Sequence, residues 1–172
     1  MERPALIEQI PGLRRYARAL TGNAWAADDL VQDTLERACA KWRLWRAGSD
    51  LRAWLFTLMH NLYISQVRHA LRQGELARPL DLGELDQELP APSAPLDSAL
   101  DLQRCLLRLP EEQRVVLLLV TLEDLSYAEV ARITGVPLGT VMSRLSRARS
   151  RLQELMTAPS ETAATPALRR LK

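Results

Sequence analysis

The sequence predicts an all-α protein built as two small helical domains joined by a flexible linker. Three observations carry that expectation. Leu, Ala, Arg and Glu dominate the composition while Phe, Ile and Gly are scarce, a balance that favours helix formers over the β-branched and aromatic residues of sheets. Apolar residues recur at helical intervals through most of the chain. One central stretch, Gly74 to Pro95, breaks the pattern with Pro79, Pro90, Pro92 and Pro95 and with Glu75, Asp81, Glu84, Asp86 and Glu88 against the single Arg78; that is the composition of a mobile, acidic linker. A length of 172 residues permits two units of this size without demanding them.

The first unit takes three helical patterns. From Arg3, Leu6, Ile7, Ile10, Leu13, Tyr16, Ala17 and Leu20 follow a helical spacing that stops at Thr21-Gly22. Asn23 is placed to cap a second helix, with Trp25, Ala26, Leu30, Leu35, Ala38, Cys39 and Trp42 expected along its apolar side and Asp28, Asp29, Asp33 and Glu36 along the other. After the polar break Arg46 to Asp50, a third pattern runs from Leu51 to about Arg72. Three helices this rich in Leu and Trp can close a small bundle. Beyond the linker, Asp97 or Ser98 is expected to cap a helix to Arg108, and Pro110 to open another at the first helical position, where its missing N–H costs nothing. The expected boundaries are 1–72, a linker at 73–96, a second domain at 97–156 and a frayed or disordered tail at 157–172.

Charge and special residues narrow the function classes. The formal net charge is +2, so attraction for nucleic acid must come from where the arginines sit and not from their total. Cys39 and Cys105 lie far apart at apolar positions without a CxxC or Cys/His cluster, and both are read as reduced, buried thiols. His60 and His69 have no ligand-spaced partner, so they are expected to be solvated or DNA-facing and no metal or cofactor is predicted. No Gly-rich phosphate loop or nucleophile elbow is present, which argues against an enzyme. The start lacks a long apolar core and nothing approaches the roughly 20 apolar residues of a membrane span, so a cytoplasmic protein is expected.

The second unit carries the sharper signal. Ser126-Tyr127-Ala128-Glu129 has the S-x-x-E spacing of a capping box, in which serine and glutamate satisfy each other's backbone donors at a helix start. Val130, Ala131 and Ile133 point inward, and Gly135 permits the left-handed residue of a tight turn into a second helix, Leu138 to Leu155. Val141, Leu145, Ala148 and Leu152 make its apolar stripe, leaving Met142, Ser143, Ser146, Arg147, Arg149 and Ser150 outside. Arg144, Arg147, Arg149 and Arg151 meet no acid in the chain before Glu154, whereas an ordinary solvated helix mixes signs at i, i+4. The pattern predicts a helix-turn-helix whose second helix lies in a DNA groove. Ser143, Ser146 and Arg147 are candidates for base edges, Arg being able to grip guanine O6 and N7 together, and Arg149 and Arg151 for phosphates.

The segments Leu109 to Arg114, Leu125 to Ala131 and Gly139 to Arg149 closely resemble region 4 of extracytoplasmic-function (ECF) sigma factors of the sigma-70 family. Upstream, Asp28 to Ala38 looks like the polymerase-binding part of their region 2, and Trp54-Leu55-Phe56 with His60-Asn61-Leu62 looks like the segment that opens and reads the −10 element. The resemblance covers most of residues 5–155. It implies an alternative sigma factor that directs core RNA polymerase to specific promoters, with a region 2 bundle of three or four helices and a region 4 helix-turn-helix. It further implies docking on the clamp helices of the largest polymerase subunit through Asp28, Asp29, Leu30, Gln32, Asp33 and Glu36, with region 4 near the flap. An acidic and amide face suits basic clamp residues.

For the −10 element the resemblance points to Arg43, Arg46, Arg52, Trp54, Asn61 and Arg68: the arginines for the phosphates of the opened strand, Asn61 for a base. Trp42, Trp45, Trp54 and Phe56 are more often core than stacking platform, because a three-helix bundle needs large apolar groups. For the −35 element it points to Thr140, Met142, Ser143, Arg144, Ser146, Arg147 and Arg149. Ser65 and His60 depart from the acidic or amide and the basic residues common in the family. Met142 and Leu138 likewise stand where polar or basic residues are common, which suits packing on a thymine methyl. An anti-sigma protein that covers these surfaces is a further implied partner. The main rival is a helix-turn-helix regulator that binds duplex DNA without being a polymerase subunit; the Asp28 to Ala38 motif argues against it. An anti-anti-sigma mimic would need a phosphorylatable receiver, for which the length leaves no room.

Overall fold

The computed structural model describes residues 3–45, 50–73 and 94–157. Every regular element among them is helical. Arg46, nearly all of the linker and residues 158–172 lie outside the described residues, so the expectations placed there have no structural counterpart.

Three helices form the first lobe: α1 (Arg3–Thr21), α2 (Ala24–Ala40) and α3 (Leu51–Gln73), with a 3-10 turn at Trp42–Leu44 that periodicity did not foresee. Gly22 makes the α1–α2 turn at φ 70°, in the left-handed region open to glycine. The Asn23 side chain then accepts the Ala26 N–H at 2.9 Å, capping α2 as its sequence position predicts. Leu13, Tyr16 and Leu20 of α1, Ala27, Leu30 and Val31 of α2, and Leu55, Phe56 and Met59 of α3 are buried together. The Tyr16 and Phe56 rings meet edge to face, centroids 5.3 Å apart, the favoured arrangement of aromatic quadrupoles.

Four helices form the second lobe: α4 (Ala94–Leu107), α5 (Glu111–Thr121), α6 (Tyr127–Thr134) and α7 (Leu138–Thr157). Helix α4 begins at Ala94, ahead of the expected cap at Asp97 or Ser98. Pro110 is the N-cap of α5, one residue before its first helical position. Val115, Val116 and Leu119 of α5, Val130 and Ile133 of α6, and Val141, Leu145 and Ala148 of α7 bury a common apolar core.

The two lobes pack against one another. Helix α1 lies against α4 and α5, and α3 against α6. Three expectations fail in this setting. Trp25 and Ala26, placed on the apolar side of α2, are exposed, Trp25 at 86%. Cys39 is exposed and Cys105 half-buried, so neither is the buried thiol expected, although both are free. The buried stripe of α2 is Ala27, Leu30, Val31, Thr34 and Ala38; Trp25 and Cys39 fall beside it at 100° per residue.

Candidate nucleic-acid and protein interfaces

The helix-turn-helix forms as its local signals dictate. Ser126 accepts the Glu129 N–H at 3.3 Å, and the Glu129 carboxylate accepts the Ser126 N–H at 2.7 Å and its hydroxyl at 2.6 Å. Those bonds hold the Glu129 carboxyl below its ordinary range. Gly135 closes α6 at φ 70°. On α7, Met142, Ser146, Arg147, Arg149, Ser150 and Arg151 are exposed, and Thr140 and Ser143 are half-buried, with the Ser143 hydroxyl donating to the Thr140 carbonyl at 3.1 Å. Arg144 departs from the expectation of an acid-free face: Glu112 of α5 pairs with it at 2.7 Å and leaves its side chain 21% exposed. Sequence-local spacing missed this because the acid comes from another helix. Arg147, Arg149 and Arg151 remain the solvent-facing cations of α7.

Helix α2 presents a continuous polar face. Asp28, Asp29, Gln32, Asp33 and Glu36 are all exposed, and their spacing of three and four residues puts them on one side of the helix. Arg14 pairs with Asp28 at 3.3 Å, the Gln66 amide donates to Asp33 at 3.2 Å and Gln32 donates to Glu36 at 3.1 Å. Leu30, named in the same set, is fully buried and holds the bundle together; it presents nothing to a partner. Trp25 sits at the head of the exposed stripe instead.

The residues named for the −10 element are divided by the fold. Arg43, Asn61 and Arg68 are exposed. Trp54 is half-buried and meets Trp42 edge to face at 6.4 Å, while the Trp42 and Trp45 rings lie tilted at 41° with centroids 5.1 Å apart; these rings form an aromatic cluster beside the 3-10 turn. Arg52 is half-buried: its Nη2 pairs with Glu123 at 2.9 Å and its guanidinium lies over the Phe56 ring.

His60, expected to be solvated or DNA-facing, is half-buried, and its Nδ1 has no hydrogen-bond partner. Burial first, and then the Arg144 charge, bring its pKa down to about 4. A depressed pKa means that the unfolded chain takes up the proton first. The stabilisation is therefore complete above about pH 6.5 and lost as pH falls through about 4. Urea unfolding of wild type and His60→Gln across this window should show the wild type losing about 3 kcal/mol more than the variant. Parallel pH profiles would contradict the assignment.

Sequence reasoning missed altogether the ionic group that is most buried among the described residues. Glu123, in the α5–α6 loop, has a side chain with 0% exposure and is held by Arg15 of α1 and Arg52 of α3. Arg15 reaches it with two donors at 3.1 Å. Arg52 also donates to the Glu123 backbone carbonyl. An acidic pair, Glu123-Asp124, after an apolar helix reads as an ordinary solvated loop and gives no local sign of this role.

Two helical lobes, one an acid-faced bundle and the other a capped helix-turn-helix, define a DNA-binding helical protein. Residues 6–60 match the family model described as the Sigma2 domain of PhyR, and residues 99–152 match Sigma-70, region 4. Over 154 residues the chain is 40% identical to the ECF RNA polymerase sigma factor EcfG of Rhodopseudomonas palustris, covering 90% of this chain and 84% of that one. It superposes on the sigma factor RpoE, in its co-crystal with the anti-sigma factor NepR from Bartonella quintana, with a TM-score of 0.76 and 36% identity over 91% of this chain and 96% of that one. A likeness of fold alone extends to the anti-anti-sigma factor PhyR in its complex with NepR from the same organism: TM-score 0.57 and 18% identity, over 86% of this chain and 47% of PhyR. The chain belongs to the ECF sigma factors of the sigma-70 family, which are DNA-binding transcription initiation factors. No described helix is long and apolar enough to cross a membrane.

Proposed function

We propose that this chain directs core RNA polymerase to promoters as an alternative sigma factor, without catalysing a reaction itself, in the cytoplasm. Residues 1–72 bind the clamp helices of the largest subunit and read the −10 element, 73–96 form the linker, and 97–156 read the −35 element beside the flap. The observation that carries this is the exposed Arg147, Arg149 and Arg151 face on a capped helix-turn-helix, in one chain with the acidic stripe of α2. The polymerase end is gripped by Asp28, Asp29, Gln32, Asp33 and Glu36; the −35 end by Arg147 and Ser146 on base edges and Arg149 on phosphate. Asn61, Arg43 and Arg68 contact the opened −10 strand. Because the similar RpoE is bound to NepR in its co-crystal, an anti-sigma protein is a partner for this chain as well.

Run-off transcription with core polymerase on genomic promoter fragments tests this. Promoter-dependent initiation is expected with the wild type. Arg147→Ala should lower it by about 10- to 100-fold at a guanine-containing −35 element, the worth of one bidentate base contact. Initiation that is absent on every template, or duplex binding that is unaffected by added core enzyme, would favour a regulator that works without polymerase.

A further inference from the structure

Several charged and aromatic groups of the first lobe find partners inside the chain. At the seam between the lobes, Arg15 and Arg52 hold Glu123. Arg14 holds Asp28, and Trp42, Trp45 and Trp54 pack on one another. Trp25 does not share in this: it is 86% exposed, more than any other large apolar side chain among the described residues, and no ring or cation of those residues meets it. A scattered exposed leucine needs no explanation. An indole left in water carries one of the largest apolar areas of any side chain, and tryptophan is enriched among the residues that supply binding energy at interfaces.

Its place on α2 gives the indole a setting. Trp25, Asp29, Gln32 and Glu36 fall within about 40° of the direction opposite the buried stripe of that helix. Their steps of four, three and four residues make one ridge about 16 Å long, with the spacing by which one helix lies along another. Gln32 and Glu36 are joined to each other at 3.1 Å, and Asp28, beside the ridge, is taken by Arg14. Asp29 is exposed and has no hydrogen bond or ion pair from its side chain to any described residue. Side chains of a helix lean toward its N-terminus, so the Asp29 carboxylate leans over the turn that carries Trp25, the two Cβ atoms standing about 5 to 6 Å apart.

We infer that Trp25 and Asp29 together form a clasp for one arginine of core RNA polymerase, with Trp25 the anchor of the α2 face. This rests on the assignment of that face to polymerase and names the chemical group it takes hold of. A guanidinium is planar and cationic: its flat face stacks on an indole while its edge donates two parallel bonds to a carboxylate. Lysine, a compact point charge, has no such face to stack. Charge selects the partner, since Asp28, Asp29, Asp33 and Glu36 make this side of α2 acidic in a chain whose net charge is +2. Both halves of the clasp are open to solvent, so an arginine can enter without any rearrangement of the helices, which keeps the cost of binding low.

The test titrates core RNA polymerase into the full chain, labelled at its C-terminus, and reads fluorescence anisotropy. Trp25→Ala should weaken binding about 30-fold. Because alanine is the better helix former, the unfolding midpoint should not fall with it. Trp25→Phe keeps an aromatic face and should stay within about 5-fold of wild type, whereas Trp25→Leu, apolar but without that face, should bind nearly as weakly as Trp25→Ala. Asp29→Asn alone should cost about 10-fold. Combined with Trp25→Ala it should cost about 100-fold, short of the roughly 300-fold product, because two groups that hold one guanidinium are coupled. Unchanged affinity in Trp25→Ala, Trp25→Leu that matches Trp25→Phe, or losses that multiply in full would overturn the clasp. So would a concentration-dependent dimer, seen by sedimentation, that Trp25→Ala abolishes, since the indole would then belong to a second copy. Wild type that does not bind core polymerase at all removes the sigma-factor assignment and the clasp with it; Trp25→Ala that binds as tightly as a binding wild type removes the clasp alone.

Discussion

Leu30→Ala should destabilise the protein by about 3 kcal/mol, within the range of about 2 to 5 kcal/mol seen when a buried leucine is truncated. Leu30 is fully buried in α2, packed in the cluster with Leu13, Tyr16 and Phe56. Removing it takes away transfer free energy and leaves a cavity that rigid neighbouring helices fill only in part. Chemical denaturation should show the midpoint falling with little change in slope. Were Leu30 a surface contact for polymerase, as its place in the acidic motif suggests from sequence alone, the midpoint would stay put and only affinity would drop.

The companion experiment addresses the exposed face of the same helix. Asp29→Lys combined with Asp33→Lys should weaken binding to core polymerase on the order of 100-fold while leaving the unfolding free energy within about 0.5 kcal/mol of wild type. Both side chains are exposed, and Asp33 gives up only an exposed hydrogen bond from Gln66. The loss should shrink as salt rises, because charges facing water are screened beyond about 10 Å at 0.1 M. Unchanged affinity at low salt would show that the stripe serves solubility alone. The two substitutions on α2 thus separate an inward-facing role from an outward-facing one a few residues apart.

What could be read from the chain alone follows the reach of each signal. The capping box at Ser126 and Glu129, the Asn23 cap and the left-handed Gly135 depend on neighbours within four residues, and all three form as expected. The all-α class rests on periodicity summed over whole helices, which single misplacements do not disturb. Trp25 failed because side-chain size was allowed to outweigh spacing: its positions at three and four residues are Asp28 and Asp29, which are exposed, so it belongs to the polar stripe. The seam was illegible for a different reason. Arg15 and Glu123 are 108 residues apart, and neither position carries a pattern that names the other. Arg144 shows the same limit on a smaller scale, its acid lying on the adjacent helix at Glu112.

The turn at Gly22 ties the two halves of the molecule together in space. Leu107, which belongs to the other half, rests so near that a methyl group at position 22 would lie 2.5 Å from its Cδ1, and the turn's own φ of 70° also calls for glycine. A chimaera that joins either half to a foreign counterpart keeps this contact only where glycine stands at the bend and a side chain of leucine's size lies opposite it. A side chain at position 22 would have to push Leu107 aside as well as adopt a strained backbone, so this bend sets how closely one half can sit on the other.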